Sequence, residues 1–224
     1  MEKKRSYDEG CAAAHGLDLI GERWALLVVR ELLLGPKRFT DLRASLPHVS
    51  PNVLSQRLRD LEASGVVRHH KLPPPAASQV YELTPWGTQL EPVIMALGRW
   101  AARSPRMPFT SPTSVNSLVI AFRTMFDPET AAGLKASFEL RLGEETFQAR
   151  VADAQLEIIR RRGNQPDAVI EGDTETLKAL AFGGWSLDEA VRTGALTVTG
   201  DEALAGRFFK LFRLPEPIEM TASA

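Results

Sequence analysis

Over the first hundred positions, apolar residues recur at helical spacing, with polar residues on the opposite faces. Leu17, Ile20, Trp24, Leu27 and Val28 form one stripe, and Gly35-Pro36 stops that helix with a residue suited to the position after a helix followed by a breaker. Thr40 then caps a short helix carrying Leu42 and Leu46, which Pro47-His48-Val49 ends. Ser50-Pro51 opens a third helix as an N-cap followed by proline at the first helical position. This helix runs over 52–64 and closes at Gly65. At 100° per residue Val53, Leu54, Leu58 and Leu61 gather on one side, while Asn52, Ser55, Gln56 and Arg59 point the other way. Two β-like runs follow, 66–72 and 79–83, joined by Pro-Pro-Pro-Ala-Ala-Ser, which predicts a hairpin with a long, stiff tip. Thr84-Pro85 repeats the cap-plus-proline start for a helix holding Leu90, Val93, Ile94, Leu97 and Trp100.

The stretch 103–113 carries three prolines and no periodic apolar pattern, and marks a boundary. Beyond it the period shortens to two. Phe138, Leu140 and Leu142 alternate with polar residues, as do Phe147, Ala149 and Val151, then Leu156 and Ile158, then Leu196 and Val198. Helical stretches are interleaved at 114–126, 173–182, 187–192 and 201–214. The mixture predicts an α+β domain with helices on one face of a largely antiparallel sheet. The expected organisation is a mainly α winged helix-turn-helix domain over 1–103, a linker over 104–113 and an α+β domain over 114–224. No internal repeat is visible.

Composition narrows the class further. Of 224 residues, 44% are apolar and 25% charged, the balance of a soluble globular protein. The start has basic residues but no apolar core of a leader, and no window is apolar enough to span a bilayer, so a cytoplasmic protein without membrane insertion is expected. A single cysteine, Cys11, excludes an intramolecular disulfide and a thiolate-rich zinc site. The histidines are scattered except for His69-His70, which alternate across a strand; no metal site and no cofactor are expected.

The net charge of -1 conceals an asymmetry: residues 1–103 hold 14 Lys and Arg against 11 Asp and Glu, and the remainder hold 13 against 17. A phosphate backbone senses charge within a Debye length of roughly 8–10 Å, so the local excess around 37–72 matters more than the total. Two short helices, the second with amide and small side chains outward, followed by a hairpin, make the order of a winged helix-turn-helix. An α-helix fits the major groove, where Asn and Gln pair with adenine and Arg with guanine, while a wing lays cations along phosphates. Asn52, Ser55, Gln56 and Arg59 are the candidates for base edges, and Ser50 at the helix start is a further DNA-binding candidate. Lys37, Arg38, Arg68, His69, His70 and Lys71 are those for phosphates or the minor groove.

The same residues resemble the HxlR-type regulators, relatives of the MarR-type regulators. The resemblance covers about 11–100 and rests on Cys11, Leu17-Asp-Leu-Ile-Gly-Glu-Arg-Trp24, Gly35-Pro-Lys-Arg-Phe39, Asp41-Leu42, Val49-Ser-Pro-Asn-Val-Leu-Ser-Gln-Arg-Leu-Arg-Asp-Leu61, Gly65, Tyr81-Glu-Leu-Thr-Pro-Trp-Gly87 and Trp100. It implies a homodimer formed through terminal helices and bound to double-stranded operator DNA. In several members a cysteine near the position of Cys11 senses oxidants or electrophiles. This chain has Ala12 where relatives often carry proline, and a buried inert thiol stands as the other reading.

From about 113 to 215 the chain is similar to sterol-carrier-protein-type domains, through Phe138–Leu142, Pro166-Asp-Ala-Val-Ile-Glu-Gly-Asp173, Gly183-Gly184 and Gly194-Ala-Leu-Thr-Val-Thr-Gly-Asp201. That resemblance implies a sheet and helices around an apolar tunnel for a lipid or another apolar molecule. Phe138, Leu140, Phe147, Leu156, Ile158, Phe182, Trp185, Phe208 and Phe212 are the candidate lining, with plain core filling as the alternative for each. A regulator needs an input, and such a cavity offers one. The chain lacks a P-loop, a dinucleotide-binding glycine signature, metal-ligand spacing and a nucleophile elbow, so an enzyme is not expected. A pure lipid carrier would leave the N-terminal constellation unexplained.

Overall fold

The computed structural model describes residues 6–219. The leader argument falls partly on residues 1–5, which lie outside the described residues. The chain divides into two compact units, Met1–Ile94 and Met95–Ala224.

The first unit contains α1 (Ala12–Ile20), α2 (Ala25–Leu32), α3 (Phe39–Ser45), α4 (Pro51–Ala63), the hairpin β1 (Val67–Lys71) and β2 (Gln79–Leu83), and a 3-10 turn over Gly87–Leu90. The stripe expected on one helix is split over α1 and α2. Gly21 ends α1, where a Cβ would lie 2.5 Å from the Leu17 carbonyl oxygen, and Trp24 enters α2 with φ +78. Two helices with a tight corner thus carry the five apolar residues, and Leu17 is left exposed. The cap of α3 is also two residues earlier than expected: Arg38 is the N-cap, its N–H donating to the Asp41 carboxylate at 3.2 Å, and Thr40 lies inside the helix.

α4 begins as expected. The Ser50 hydroxyl accepts from the Val53 N–H, Pro51 stands in the first turn, and Gly65 follows the C-cap with φ +74. Leu54, Leu58 and Leu61 are fully buried against Val28, Val29, Leu42 and Val66, each contributing about 1.5–3 kcal/mol through burial. Val53, expected on that side, is instead exposed, because it lies at the edge of the buried arc. The hairpin pairs antiparallel from Val67↔Leu83 to Lys71↔Gln79. Lys37 and Tyr81 exchange two backbone hydrogen bonds, 3.0 and 2.8 Å, which pin the hairpin to the segment between α2 and α3. α5 (Glu91–Ala101) starts in the first unit and continues into the second.

In the second unit, α6 (Val115–Met125) is capped by Ser114. A sheet follows in the order β5-β4-β3-β6-β7, from β3 (Ala136–Leu142), β4 (Glu145–Ala152), β5 (Gln155–Ile159), β6 (Ala168–Gly172) and β7 (Leu196–Gly200), with α7 (Thr174–Phe182), α8 (Leu187–Arg192) and α9 (Glu202–Phe209) between and after them. The β3–β6 pair is parallel and the other pairs are antiparallel. Phe138, Leu140, Phe147, Ala149, Val151, Ile158 and Ile170 fill the helix-covered side, while Arg141, Arg150, Glu157 and Glu171 stand on the other. The α+β class holds.

Three expectations change here. β6 is not separated by alternation, because Ala168-Val169-Ile170 is a continuous apolar run with no polar residue between its buried positions. The last helix stops at Phe209 instead of continuing to 214, because residues 211–213 exchange backbone bonds with 125–127: Asp127 N–H to Leu211 O and Arg213 N–H to Met125 O, both 2.8 Å. The stretch 104–113 is not a free connector: the Lys178 ammonium donates to Ser111 O at 2.8 Å and to the Thr113 hydroxyl at 3.1 Å, and the Thr113 N–H donates to Glu175 at 3.0 Å. It is strapped to α7.

Candidate nucleic-acid interface

α4 presents what a groove-reading helix requires. Its buried leucines fix the rotation, so Asn52, Gln56 and Arg59 are exposed and Ser55 is half-buried beside them. The exposed side chains are not independent. The Gln56 amide nitrogen donates to Asp60 at 2.8 Å, and Arg59 donates to the Gln56 amide oxygen at 2.6 Å. Arg57 stands 3.2 Å from Asp60 and 3.4 Å from Glu22. Ser50 is engaged as the cap of the helix.

The cation set is thinner than the sequence suggested. Lys37 must be withdrawn from the phosphate candidates: its ammonium lies 3.0 Å from the fully buried Glu31 carboxylate and 2.9 Å from the Ser45 hydroxyl, with the side chain 10% exposed. A cation that close to a carboxylate removed from water is held there, since separating them would leave a buried charge. Arg68 is exposed but bound to Glu82 at 2.5 Å, so its charge is partly neutralised. His70 Nε2 is 3.8 Å from the same carboxylate, and among the described residues its buried Nδ1 has no hydrogen-bond partner. His69 stacks on Tyr81 with ring centroids 4.5 Å apart. Burial, and then the Glu62 carboxylate, push the Tyr81 phenol above its usual pKa, with Arg59 opposing them. Lys71 at the hairpin end and Arg38 at the start of α3 remain exposed, and the Lys37–Tyr81 backbone pair sets Arg38 next to the hairpin.

Sequence reasoning missed Asp60, Arg57 and Glu22. The spacing that reveals the first was present: Gln56 and Asp60 are four apart, and Gln56 and Arg59 three apart, the separations at which helix side chains meet.

Residues 19–107 match the HxlR-like helix-turn-helix family. The HTH-type transcriptional regulator YvaP of Bacillus subtilis (strain 168), itself uncharacterized, is 39% identical over 85 residues, covering 38% of this chain and 79% of YvaP. The chain belongs to the HxlR-like helix-turn-helix family. The HTH-type regulator YodB of the same organism is 36% identical over 83 residues, covering 37% of this chain and 74% of YodB. The solved reduced form of YodB aligns at 31% identity over 44% of this chain and 97% of that one, with a TM-score of 0.39. Residues 111–218 match the alkyl sulfatase C-terminal family, consistent with a sterol-carrier-like α+β domain. The protein is thus a helix-turn-helix transcriptional regulator of the HxlR type.

In this HxlR-type regulator Cys11 is exposed at the N-cap of α1, not buried as the inert-thiol reading expects, because the first turn of α1 leaves it at the surface; the amides of Ala14 and then Ala13 lower the thiol pKa. Among the described residues no three His, Cys, Asp or Glu side chains are grouped to hold a metal, and no helix is long and apolar enough to cross a membrane.

Most of the ligand candidates in the second unit are packed against one another and do not border the cleft beside Trp185. Phe138, Leu140, Phe147, Ile158 and Phe208 are fully buried; Phe212 stacks on Phe122 at 4.5 Å, and Phe208 meets Phe122 and Phe138 at 5.7 and 4.9 Å. Phe182 packs against Phe122 at 6.0 Å, and Leu156 is a half-buried residue of β5. These rings pack against one another at aromatic contact distances, as in a filled core. Trp185 differs: with Leu180, Leu187, Phe209, Arg207 and Lys210 it borders an open cleft of about 690 Å³. The basic run 160–162 is anchored at Arg160, which lies over the Phe147 ring at 4.8 Å and donates to buried Asn116 at 2.6 Å.

Proposed function

We propose that this regulator binds double-stranded operator DNA as a homodimer, with α4 in the major groove and the β1–β2 hairpin along the flanking phosphates. Residues 1–103 supply DNA binding and dimerisation. The observation that carries this reading is the division of α4, three leucines fully buried and Asn52, Gln56 and Arg59 exposed. Two such helices in a dimer would meet half-sites about one DNA turn, roughly 34 Å, apart or a multiple of it. Dimerisation is supported by α5, which buries none of its residues and exposes Val93, Leu97 and Trp100 at 48%, 46% and 73%. Selection from a randomised duplex pool, with sedimentation of the full chain alone and on the selected DNA, tests both points. A pseudo-palindrome bound by two chains is expected; a monomer binding an asymmetric site would overturn the reading.

Residues 114–224 serve in this proposal as the input, taking an apolar small molecule or lipid at the cleft beside Trp185, with the protein residing in the cytoplasm. Extraction of the purified protein and mass spectrometry would identify the molecule. Coupling of about 1–3 kcal/mol would change operator affinity by 5- to 150-fold. A bound molecule that leaves operator affinity unchanged would remove this role.

A second reading has its own observation, the exposed Cys11 thiol with a lowered pKa at a helix start, where thiolate is favoured. Under it, oxidation or alkylation of Cys11 controls operator binding, and Cys11→Ser would abolish the response to a quinone or hypochlorite.

A further inference from the structure

Reading adenine with glutamine requires both ends of the amide: the oxygen accepts from N6 and the nitrogen donates to N7. Both ends of Gln56 are engaged within α4, its nitrogen donating to Asp60 and its oxygen accepting from Arg59. The orientation of the amide follows from these neighbours, since a carboxylate accepts only and a guanidinium donates only. Asp60 is held in turn by Arg57, whose side chain is 15% exposed and reaches Glu22 from the same nitrogen. Arg59 stands at the outer end of this chain. It is exposed, and among the described residues its one hydrogen bond is the one to Gln56, which leaves the rest of its donor fork available. A planar fork with paired donors matches the O6 and N7 acceptors of guanine.

We infer that Arg59 is the specificity-determining residue of α4 for a guanine in each operator half-site, and that Gln56 and Asp60 are positioning residues that hold its guanidinium and do not read a base. The inference rests on the proposed placement of α4 in the major groove. A buttressed arginine loses less side-chain freedom when it meets the base, so removal of the buttress weakens discrimination more than overall affinity. Asp60 acts one step further back, by fixing the amide so that its oxygen faces Arg59.

The test uses the full chain and a pool of duplexes randomised over both half-sites, read by sequencing the bound fraction, with circular dichroism confirming that each variant is folded. The parent protein should select one guanine per half-site. Arg59→Ala should erase that preference, a change of about tenfold or more in relative affinity for guanine over the other bases. Gln56→Ala and Asp60→Ala should reduce the same guanine preference several-fold without altering preference elsewhere or the salt dependence of binding. Gln56→Glu, which keeps an acceptor for Arg59, should restore it over Gln56→Ala. Loss of an adenine preference in Gln56→Ala would show that Gln56 reads a base and overturn the inference, as would an unchanged profile in both positioning variants. Selection of no sequence by the parent protein would remove the placement of α4 itself, a different failure from a selected sequence lacking an Arg59-dependent guanine.

Discussion

Two sets of residues marked as functional, one by helical periodicity and the other by resemblance to a lipid-binding domain, have opposite fates. On α4 the polar residues at 52, 56 and 59 stay exposed, whereas in the second unit the apolar residues at 138, 140, 147, 158 and 208 close upon one another. The period tells which face is inside. For a polar face that is nearly sufficient, because what is not inside meets solvent or a ligand. For an apolar face it leaves two outcomes, a filled core or a hollow one, and the choice depends on whether opposing side chains reach each other. The ring of Phe122, from α6, decides it here by touching Phe182, Phe208 and Phe212.

The contrast can be broken most strongly at the core. Phe208→Ala should destabilise the protein by about 3–5 kcal/mol, as a truncated, fully enclosed ring does; urea unfolding measures it, and a loss below about 1 kcal/mol would mean the ring borders empty space after all. The next largest effect concerns a cation. Lys37→Ala removes one partner of the buried Glu31 carboxylate and should cost about 3 kcal/mol of stability while leaving the salt slope of DNA binding unchanged. Lys71→Ala is its counterpart: stability should stay within about 0.5 kcal/mol, and the salt slope should fall by about one phosphate contact. A reversed result for the two lysines would exchange their roles. The smallest effect concerns Cys11. The rate of alkylation by iodoacetamide should rise with pH through a midpoint below that of an ordinary thiol, because the lowered pKa makes thiolate available at lower pH. A midpoint at or above the ordinary value would leave the thiol inert.

The sequence makes α4 fully legible because every cue agrees: Ser50-Pro51 at one end, Gly65 at the other, leucines at 54, 58 and 61 between. The corner between α1 and α2 was not, since Gly21 is tolerated by a helical pattern and a positive φ at Trp24 has no side-chain signal. Lys37 was misread for a related reason. Its partner Glu31 sits six positions earlier, in a different element, and only the packing of α2 against α3 shows that the carboxylate is buried. In the second unit the strands whose apolar residues alternate with polar ones were recoverable, while β6, an unbroken apolar run, and the end of α9 depend on partners distant in sequence.

The parallel pairing of β3 with β6 bears on how the chain acquires its fold. In the first unit, most core contacts join neighbouring helices and a hairpin, and such local contacts close quickly. In the second, the middle of the sheet, Leu140 beside Ile170, joins two strands with the whole of β4 and β5 between them in the chain. Contacts between distant parts of a chain slow folding, because loop entropy is lost before they are rewarded. A chain made from its N-terminus therefore completes its DNA-reading half while the other half is still searching. During that interval the half-formed sheet displays the apolar side of β3, so the order of synthesis sets when this protein is most prone to aggregate.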